Sequence, residues 1–356
     1  MSKGPESLVR EDIRALSAYH VTPAAGFVKL DAMENPYCLP EALAAEMGAR
    51  LAAVAVNRYP DPVAEPLKAR LREAMGIPDS QEVLLGNGSD EVLQIISLAL
   101  ARPGAVVLGL EPSFAMYRMS AIAAGMPYVG VALNPDFSLD EAATLRALET
   151  HRPALVWIAY PNNPSGNLFP RDALLRIVTA APGLVVIDEA YYAFSGGATL
   201  MSELGRHENL VLVRTVSKLG LAGLRVGCAI GDRAWLGEFE KLRLPYNVNV
   251  LSAAAAELLL AHRDVLDDQT RRIVEERARL ESALDQLGIE RFASAANFVL
   301  VRMAGAASVF EALKGRGILV RNFHGSHPLL ANCLRLTVGT PDENRRLIEA
   351  LRSIAG

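Results

Sequence analysis

Val211-Leu-Val-Arg-Thr-Val-Ser-Lys-Leu-Gly-Leu-Ala-Gly-Leu-Arg-Val-Gly227 carries an apolar run into a lysine, then through a glycine-punctuated loop into a second apolar run. Leu210–Val213 reads as a strand bounded by polar residues, with Lys218 just past its end and Arg225 just before the next strand. Lysine is scarce in this chain: Lys3, Lys29, Lys68, Lys218, Lys241 and Lys314 are all there are. Two readings of Lys218 stand side by side. A partly desolvated lysine loses its proton readily and becomes a nucleophile able to form a Schiff base. A lysine can also simply cap a strand end at the surface.

Working outward, apolar runs recur at Glu82–Leu85, Ala105–Leu108, Tyr128–Ala132, Ala154–Ala159, Leu184–Ile187 and Val226–Ile230. Helical patterns lie between most of them, at about 89–101, 114–124, 138–150 and 170–180. Strands alternating with helices predict an α/β fold with a mainly parallel sheet flanked by helices. The runs are apolar throughout, as a sheet covered on both faces requires. Ligands of such sheets bind beyond the carboxyl ends of the strands. A long helical stretch at about 250–286 leads to a second alternating region: β at Asn297–Arg302, helix at 305–315, β at Ile318–Arg321 and Leu334–Val338, helix at 342–353. Upstream, Leu8 to Leu16 has helical spacing within an arm that cannot form a core alone, and helices are expected at about 40–55 and 62–75. The division expected is residues 1–50 as arm and first part of a small domain, 51–262 as a large domain, and 263–356 as the rest of a smaller α/β domain.

Composition removes several function classes. The chain has 356 residues and a net charge of -4, which gives no reason to expect nucleic acid. Cys38, Cys228 and Cys333 are scattered and form no CxxC pair, which points to a reducing, cytoplasmic setting without a disulfide or zinc framework. No apolar run reaches the roughly 20 residues of a membrane span, and the N-terminus has no signal-peptide pattern. His324 and His327 are too isolated to read as a metal pair, so no metal is expected.

Three further stretches carry chemistry. In Gly86-Asn-Gly-Ser-Asp-Glu91, small residues open a helix, where free N–H groups suit an anion; Ser89 also fits a plain helix cap. Ala159-Tyr-Pro-Asn-Asn-Pro-Ser-Gly166 breaks from a strand into a proline-bracketed loop, which is either an ordinary turn or a rigid mount for Asn163. In Leu184-Val-Val-Ile-Asp-Glu-Ala-Tyr191, Asp188 ends a strongly apolar strand, and a buried carboxylate needs a partner. A protonated pyridine nitrogen would serve; a structural carboxylate is the alternative.

Asn163, Asp188, Tyr191, Lys218 and Arg225 stand in one order at or beyond strand ends. In this the chain resembles the fold-type-I pyridoxal-phosphate-dependent aminotransferases, through Asn163-Pro-Ser-Gly166, Asp188-Glu-Ala-Tyr191, Ser217-Lys218 and Gly223-Leu-Arg225. The resemblance implies a seven-stranded sheet in the large domain and pyridoxal 5'-phosphate as cofactor. Lys218 would carry the cofactor and move the substrate proton. Asp188 would keep the ring nitrogen protonated, and Asn163 and Tyr191 would hold the ring hydroxyl oxygen. Ser89, Asp90, Ser217 and Arg225 would cup the phosphate. Phe114 would stack on the ring where relatives often have tyrosine. Tyr59, in Asn57-Arg-Tyr-Pro60, would reach the phosphate of a partner subunit in a homodimer.

The segments Gly317-Ile-Leu-Val-Arg-Asn-Phe323 and Asn332-Cys-Leu-Arg-Leu-Thr-Val-Gly-Thr-Pro-Asp-Glu-Asn344, Asn297-Phe-Val-Leu-Val-Arg302 and the surroundings of Tyr19 resemble the histidinol-phosphate aminotransferase family. That implies ping-pong exchange of an amino group between histidinol phosphate and 2-oxoglutarate (yielding glutamate), in histidine biosynthesis. Arg321 and Arg335 would clamp the substrate phosphate, with Tyr19 and Asn297 lining the site; surface pairing with an acid such as Glu311 is the other reading of Arg321. An aminotransferase for aromatic or other amino acids and a threonine-phosphate decarboxylase share the same machinery and remain open.

Overall fold

The computed structural model describes residues 3–18 and 22–355, and Tyr19 lies outside the described residues. Twelve strands are present among them: β1 (Val28–Leu30), β2 (Glu82–Asn87), β3 (Val107–Glu111), β4 (Tyr128–Ala132), β5 (Leu155–Ala159), β6 (Leu184–Asp188), β7 (Leu210–Thr215), β8 (Val226–Gly231), β9 (Glu290–Arg291), β10 (Phe298–Arg302), β11 (Ile318–Asn322) and β12 (Cys333–Thr337). They form a seven-stranded sheet in the order β2-β8-β7-β6-β5-β3-β4 and a five-stranded sheet in the order β1-β11-β12-β10-β9. In the large sheet only β8 runs against its neighbours. Every residue of β5, β6, β7 and β8 is buried, because helices cover both faces.

The register decides where the polar residues go. Ala159 pairs with Asp188, and Asp188 with Val213, so β5, β6 and β7 end at one rim. Antiparallel β8 begins at that rim, with Gly227 opposite Thr215 and Val226 opposite Asn87, the last residue of β2. The loops bearing Asn163, Tyr191, Lys218, Arg225 and Ser89 therefore converge on one edge, although they lie up to 136 positions apart in the chain.

The small sheet has its own apolar layer around Phe298, Val320, Leu334 and Leu351. The helix Arg263–Gln286 covers it with Ile273, Leu280 and Leu284, whose spacing keeps them on one face. The expected single helix over about 250–286 is two, Val250–Ala261 and Arg263–Gln286, broken at His262, where the backbone leaves the helical region (ψ 49°). The helix Arg233–Glu240, capped by the Asp232 side chain on the Ala234 N–H, was not expected.

The arm departs most from its sequence pattern. Instead of one helix over Leu8–Leu16 there are two single turns, Pro5–Leu8 and Glu11–Arg14. Between them Arg10 reaches the end of the helix Met116–Ala123 and donates to the Ile122 and Ala123 carbonyls at 2.6 and 3.2 Å. Helix carboxyl ends leave such carbonyls without intrahelical donors, and a guanidinium suits them. Farther on, β1 adds to the small sheet parallel to β11, so a segment near the N-terminus becomes a strand of the C-terminal layer.

Candidate active site

Lys218 sits in the 3-10 turn Ser217–Leu219 that ends β7. Its Nζ contacts the Ala32 carbonyl at 3.4 Å and lies 5.8 Å from the centre of the Tyr191 ring. Burial, helped by the positive charge of Arg335, pulls its amine down to about 8. Roughly one molecule in ten then carries a neutral amine at pH 7, against almost none for an ordinary lysine. The structure thus favours the nucleophilic reading over the surface cap.

Asp188, at the end of β6, is 5 % exposed. Its Oδ2 accepts from the Tyr117 hydroxyl at 2.8 Å and its Oδ1 from the Ala190 N–H at 3.1 Å. Burial pushes its carboxyl up to about 6, against the opposing pull of those two hydrogen bonds. Tyr117 escaped the sequence reading. It is fully buried, stacks on Trp157 with ring centres 5.3 Å apart, and meets Phe114 edge-on. On a short helix it looks like one more core aromatic; only the fold shows its hydroxyl aimed at a carboxylate. Burial and that carboxylate push its own ionisation well above the ordinary range, so it stays a donor.

Asn163 is held by the bracketing loop, whose Tyr160–Pro161 and Asn163–Pro164 bonds are both cis. Its amide donates to the Tyr191 hydroxyl at 3.4 Å, and its Oδ1 accepts from Arg335 at 2.6 Å. Behind it the buried Asn162 binds Ser113, Ser165 and the Pro112 carbonyl, which anchors the loop.

The helix Ser89–Leu100 opens at Gly88. A Cβ on Gly88 would lie 2.5 Å from the Arg225 guanidinium, and one on Gly227 would lie 2.4 Å from the Ser89 nitrogen. Both glycines are needed for this close approach. Arg225 itself has φ +53°, an arrangement that costs a non-glycine residue about 1 kcal/mol or more, and reaches Asp90 at 3.4 Å. The Ser217 N–H donates to the Thr215 hydroxyl at 3.1 Å.

One cleft is lined by Ser89, Asp90, Phe114, Asn163, Asp188, Tyr191, Ser217, Lys218 and Arg225, together with Met33, Tyr117 and Thr215, which sequence reasoning missed. Arg335 adjoins it through Asn163. It is 4 % exposed, also donates to the Asp31 carbonyl at 2.8 Å, and packs over Phe298 and Phe323. Arg321 stands opposite it across the β11–β12 pair, 6.0 Å above the Phe323 ring. Asn297 does not line the cleft. It is fully buried and donates to the Met33 carbonyl at 2.9 Å, which places it behind the cleft wall. Tyr59 is 81 % exposed and stacks on Tyr246, with ring centres 4.6 Å apart; it is not brought to the cleft of its own chain. His324 and His327 each accept a backbone N–H through Nδ1, from Asn332 and Leu329.

This donor set fits pyridoxal phosphate. Free N–H groups at a helix start, a serine hydroxyl and a guanidinium suit a phosphate. A buried carboxylate suits a protonated ring nitrogen, and a readily deprotonated amine suits an aldehyde.

Residues 25–351 match the family model for aminotransferase class I and II. The chain is 53 % identical over 348 residues to a histidinol-phosphate aminotransferase of Chromobacterium violaceum, covering 98 % of each chain. It is 53 % identical over 350 residues to histidinol-phosphate aminotransferase 1 of Burkholderia lata, again covering 98 % of each. The crystal structure of the histidinol-phosphate aminotransferase of Sinorhizobium meliloti in complex with pyridoxal-5'-phosphate superposes with a TM-score of 0.87 over 98 % of both chains, at 26 % identity. The rim that gathers Asn163, Asp188 and Lys218, together with a match spanning nearly the whole sequence, shows that the chain belongs to the class I and II aminotransferases.

Proposed function

We propose that this chain transfers the amino group between histidinol phosphate and 2-oxoglutarate with pyridoxal 5'-phosphate as cofactor, as part of histidine biosynthesis. The observation that carries the chemistry is the pairing of Lys218 and Asp188 in one cleft, each moved by burial toward its neutral form. The substrate assignment rests on the relatives' names and on Arg335, buried against Asn163, with Arg321 alongside. Both guanidiniums lie near the Phe323 ring, and two of them together suit a phosphate dianion.

Bound pyridoxal phosphate supplies the aldehyde that receives the amino group and the ring that accepts the electron pair left at the α-carbon. Lys218 holds the cofactor and carries the proton to and from the substrate α-carbon through Nζ. The Asp188 carboxylate, oriented by Tyr117 and the Ala190 N–H, keeps a proton on the ring nitrogen. Asn163 and Tyr191 bind the ring oxygen, and Phe114 lies against the ring. Ser89, Asp90, Ser217 and Arg225 hold the cofactor phosphate. Arg335 and Arg321 bind the substrate phosphate, Asn297 supports the Met33 wall, and Tyr19 is a substrate-binding residue. In this reading residues 51–262 form the cofactor domain, 1–50 form the arm and the first part of the small domain, 263–356 form the rest of the small domain, and the working form is a cytoplasmic homodimer. The exposed Tyr59 then serves the partner's cofactor phosphate. Among the described residues no helix is long and apolar enough to cross a membrane.

The test is a panel of amino donors followed through the cofactor's visible absorbance: histidinol phosphate, histidinol, aromatic amino acids, glutamate and threonine phosphate. Histidinol phosphate and glutamate are expected to react and histidinol to react poorly. Equal reaction of histidinol and its phosphate refutes the substrate assignment, and release of carbon dioxide from threonine phosphate favours a decarboxylase.

A further inference from the structure

Directly behind the cleft lies an ion pair that the chemistry above does not use. Glu189 is 0 % and Arg214 2 % exposed. Arg214 donates through Nε and Nη2 to Glu189 Oε2, at 2.9 and 2.7 Å. Its Nη1 donates to the Met75 carbonyl at 2.7 Å, and Nη2 also reaches the Thr199 hydroxyl at 2.8 Å. Glu189 Oε1 accepts from the Leu200 N–H at 2.7 Å, and the Tyr192 ring lies 3.8 Å beneath the guanidinium. Both charges are therefore fully partnered.

Stability is a weak reason for such a pair, since desolvating two charges offsets most of what their attraction contributes, and well-packed apolar residues of similar volume serve as well or better. Its place is more informative. Glu189 follows Asp188 directly and Tyr192 follows Tyr191. Arg214 precedes Thr215, whose hydroxyl accepts the Ser217 N–H beside Lys218. Two polar links thus tie the turn after β6 to the end of β7, just before the turn that carries Lys218: the Glu189 N–H on the Val213 carbonyl at 2.8 Å, and the Glu189–Arg214 fork.

We propose that Glu189 and Arg214 are positioning residues, a fork that sets Asp188 and Tyr191 at a fixed distance and angle from Lys218. Neither side chain lines the cleft; both act through their neighbours. The inference rests on the functional reading of Lys218 and Asp188 given above.

The experiment compares wild-type holoenzyme with Arg214→Lys and with the apolar double variant Glu189→Leu/Arg214→Met. Melting temperature, kcat, KM for the amino donor and visible circular dichroism of the bound cofactor are measured on each. The double variant keeps packing but leaves the Leu200 N–H, the Met75 carbonyl and the Thr199 hydroxyl without these partners, so it is expected to fold and to melt below wild type. Its kcat is expected to fall about ten- to a hundredfold with KM nearly unchanged, the size of effect that a misplacement near 1 Å produces. The visible circular dichroism is expected to change, since it reports the cofactor's orientation, which a purely structural role would leave alone. A folded double variant with wild-type kcat and circular dichroism overturns the inference. Should the double variant fail to fold, Arg214→Lys decides: it keeps the charge but loses the fork, and wild-type kcat in that variant overturns the inference as well. A wild type without the cofactor's visible band overturns the functional reading and this inference with it, whereas an active wild type with fully active variants overturns this inference alone.

Discussion

Asp188 at the rim of the large sheet and Arg335 on the small sheet are almost equally buried, at 5 and 4 % exposure, yet their surroundings treat charge differently. Around Asp188 and Lys218, burial moves both groups toward neutrality, against two hydrogen bonds at Asp188 and helped by the Arg335 charge at Lys218, so each changes protonation within reach of neutral pH. Around Arg335, the Asp31 carbonyl, the Asn163 amide oxygen and two aromatic faces surround a group that does not deprotonate in proteins. One region is suited to moving protons, the other to presenting a permanent charge. Burial alone predicts neither; the difference lies in what the buried group is given to bond with.

Lys218→Ala is the strongest way to break the comparison. In the proposed reading it removes both cofactor attachment and the proton carrier, and should lower the amino-transfer half-reaction roughly 10⁴-fold or more. Single-turnover spectra check this, and an active variant would place the chemistry elsewhere. A second test uses pH. Only the neutral amine attacks, and the neutral form is present above the pKa, so cofactor uptake by cofactor-free protein should rise as pH increases toward about 8 and level off beyond it. Between pH 6 and 8 the expected rise is roughly fiftyfold, followed by stopped-flow absorbance; a flat profile would mean that Lys218 is not desolvated.

The arginine side yields smaller effects. Arg335→Ala should weaken histidinol phosphate about ten- to a hundredfold in kcat/KM, in keeping with the loss of one charge-assisted contact. The more exposed Arg321→Ala should cost roughly three- to tenfold. Unphosphorylated histidinol should be affected less by either change, and an unchanged ratio of the two donors would dissolve the contrast between the regions. The finest test is Tyr117→Phe. Loss of its hydrogen bond raises the Asp188 carboxyl further, and the ionised form exists only above that pKa. The acid limb of the kcat/KM profile should therefore move to higher pH, with a loss of roughly tenfold near pH 6. A superimposable profile would show that Tyr117 only fills space.

What could be read in the sequence follows the same physics. The seven large-sheet strands announce themselves as apolar runs, and Asp188 and Lys218 stand out as polar residues placed where such runs stop. Tyr117 does not stand out, because an aromatic in a short apolar helix fits a core equally well. The strands β1 and β9 are three and two residues long, too short for any periodicity, and β1 exists only because β11 is there to pair with. Arg10 broke a helix that its neighbours' spacing favours, since its partners lie 112 and 113 residues away. Asn297 was found by its motif but serves a backbone carbonyl, a partner that no side-chain pattern reveals.

The short passage from Asp31 to Met33 carries a further consequence. Arg335 holds the carbonyl of Asp31, Lys218 the next carbonyl, of Ala32, and Asn297 the one after, of Met33. Three side chains from two sheets grip consecutive peptide units. Because every grip is on the main chain, side-chain changes at 31, 32 and 33 leave the oxygens in place, and the connection between the lysine and the arginine can outlast drift in those letters. What it cannot absorb is a change in count: one residue inserted or lost here would hand each side chain its neighbour's carbonyl, so in descendants of this gene the spacing should be guarded more strictly than the spelling.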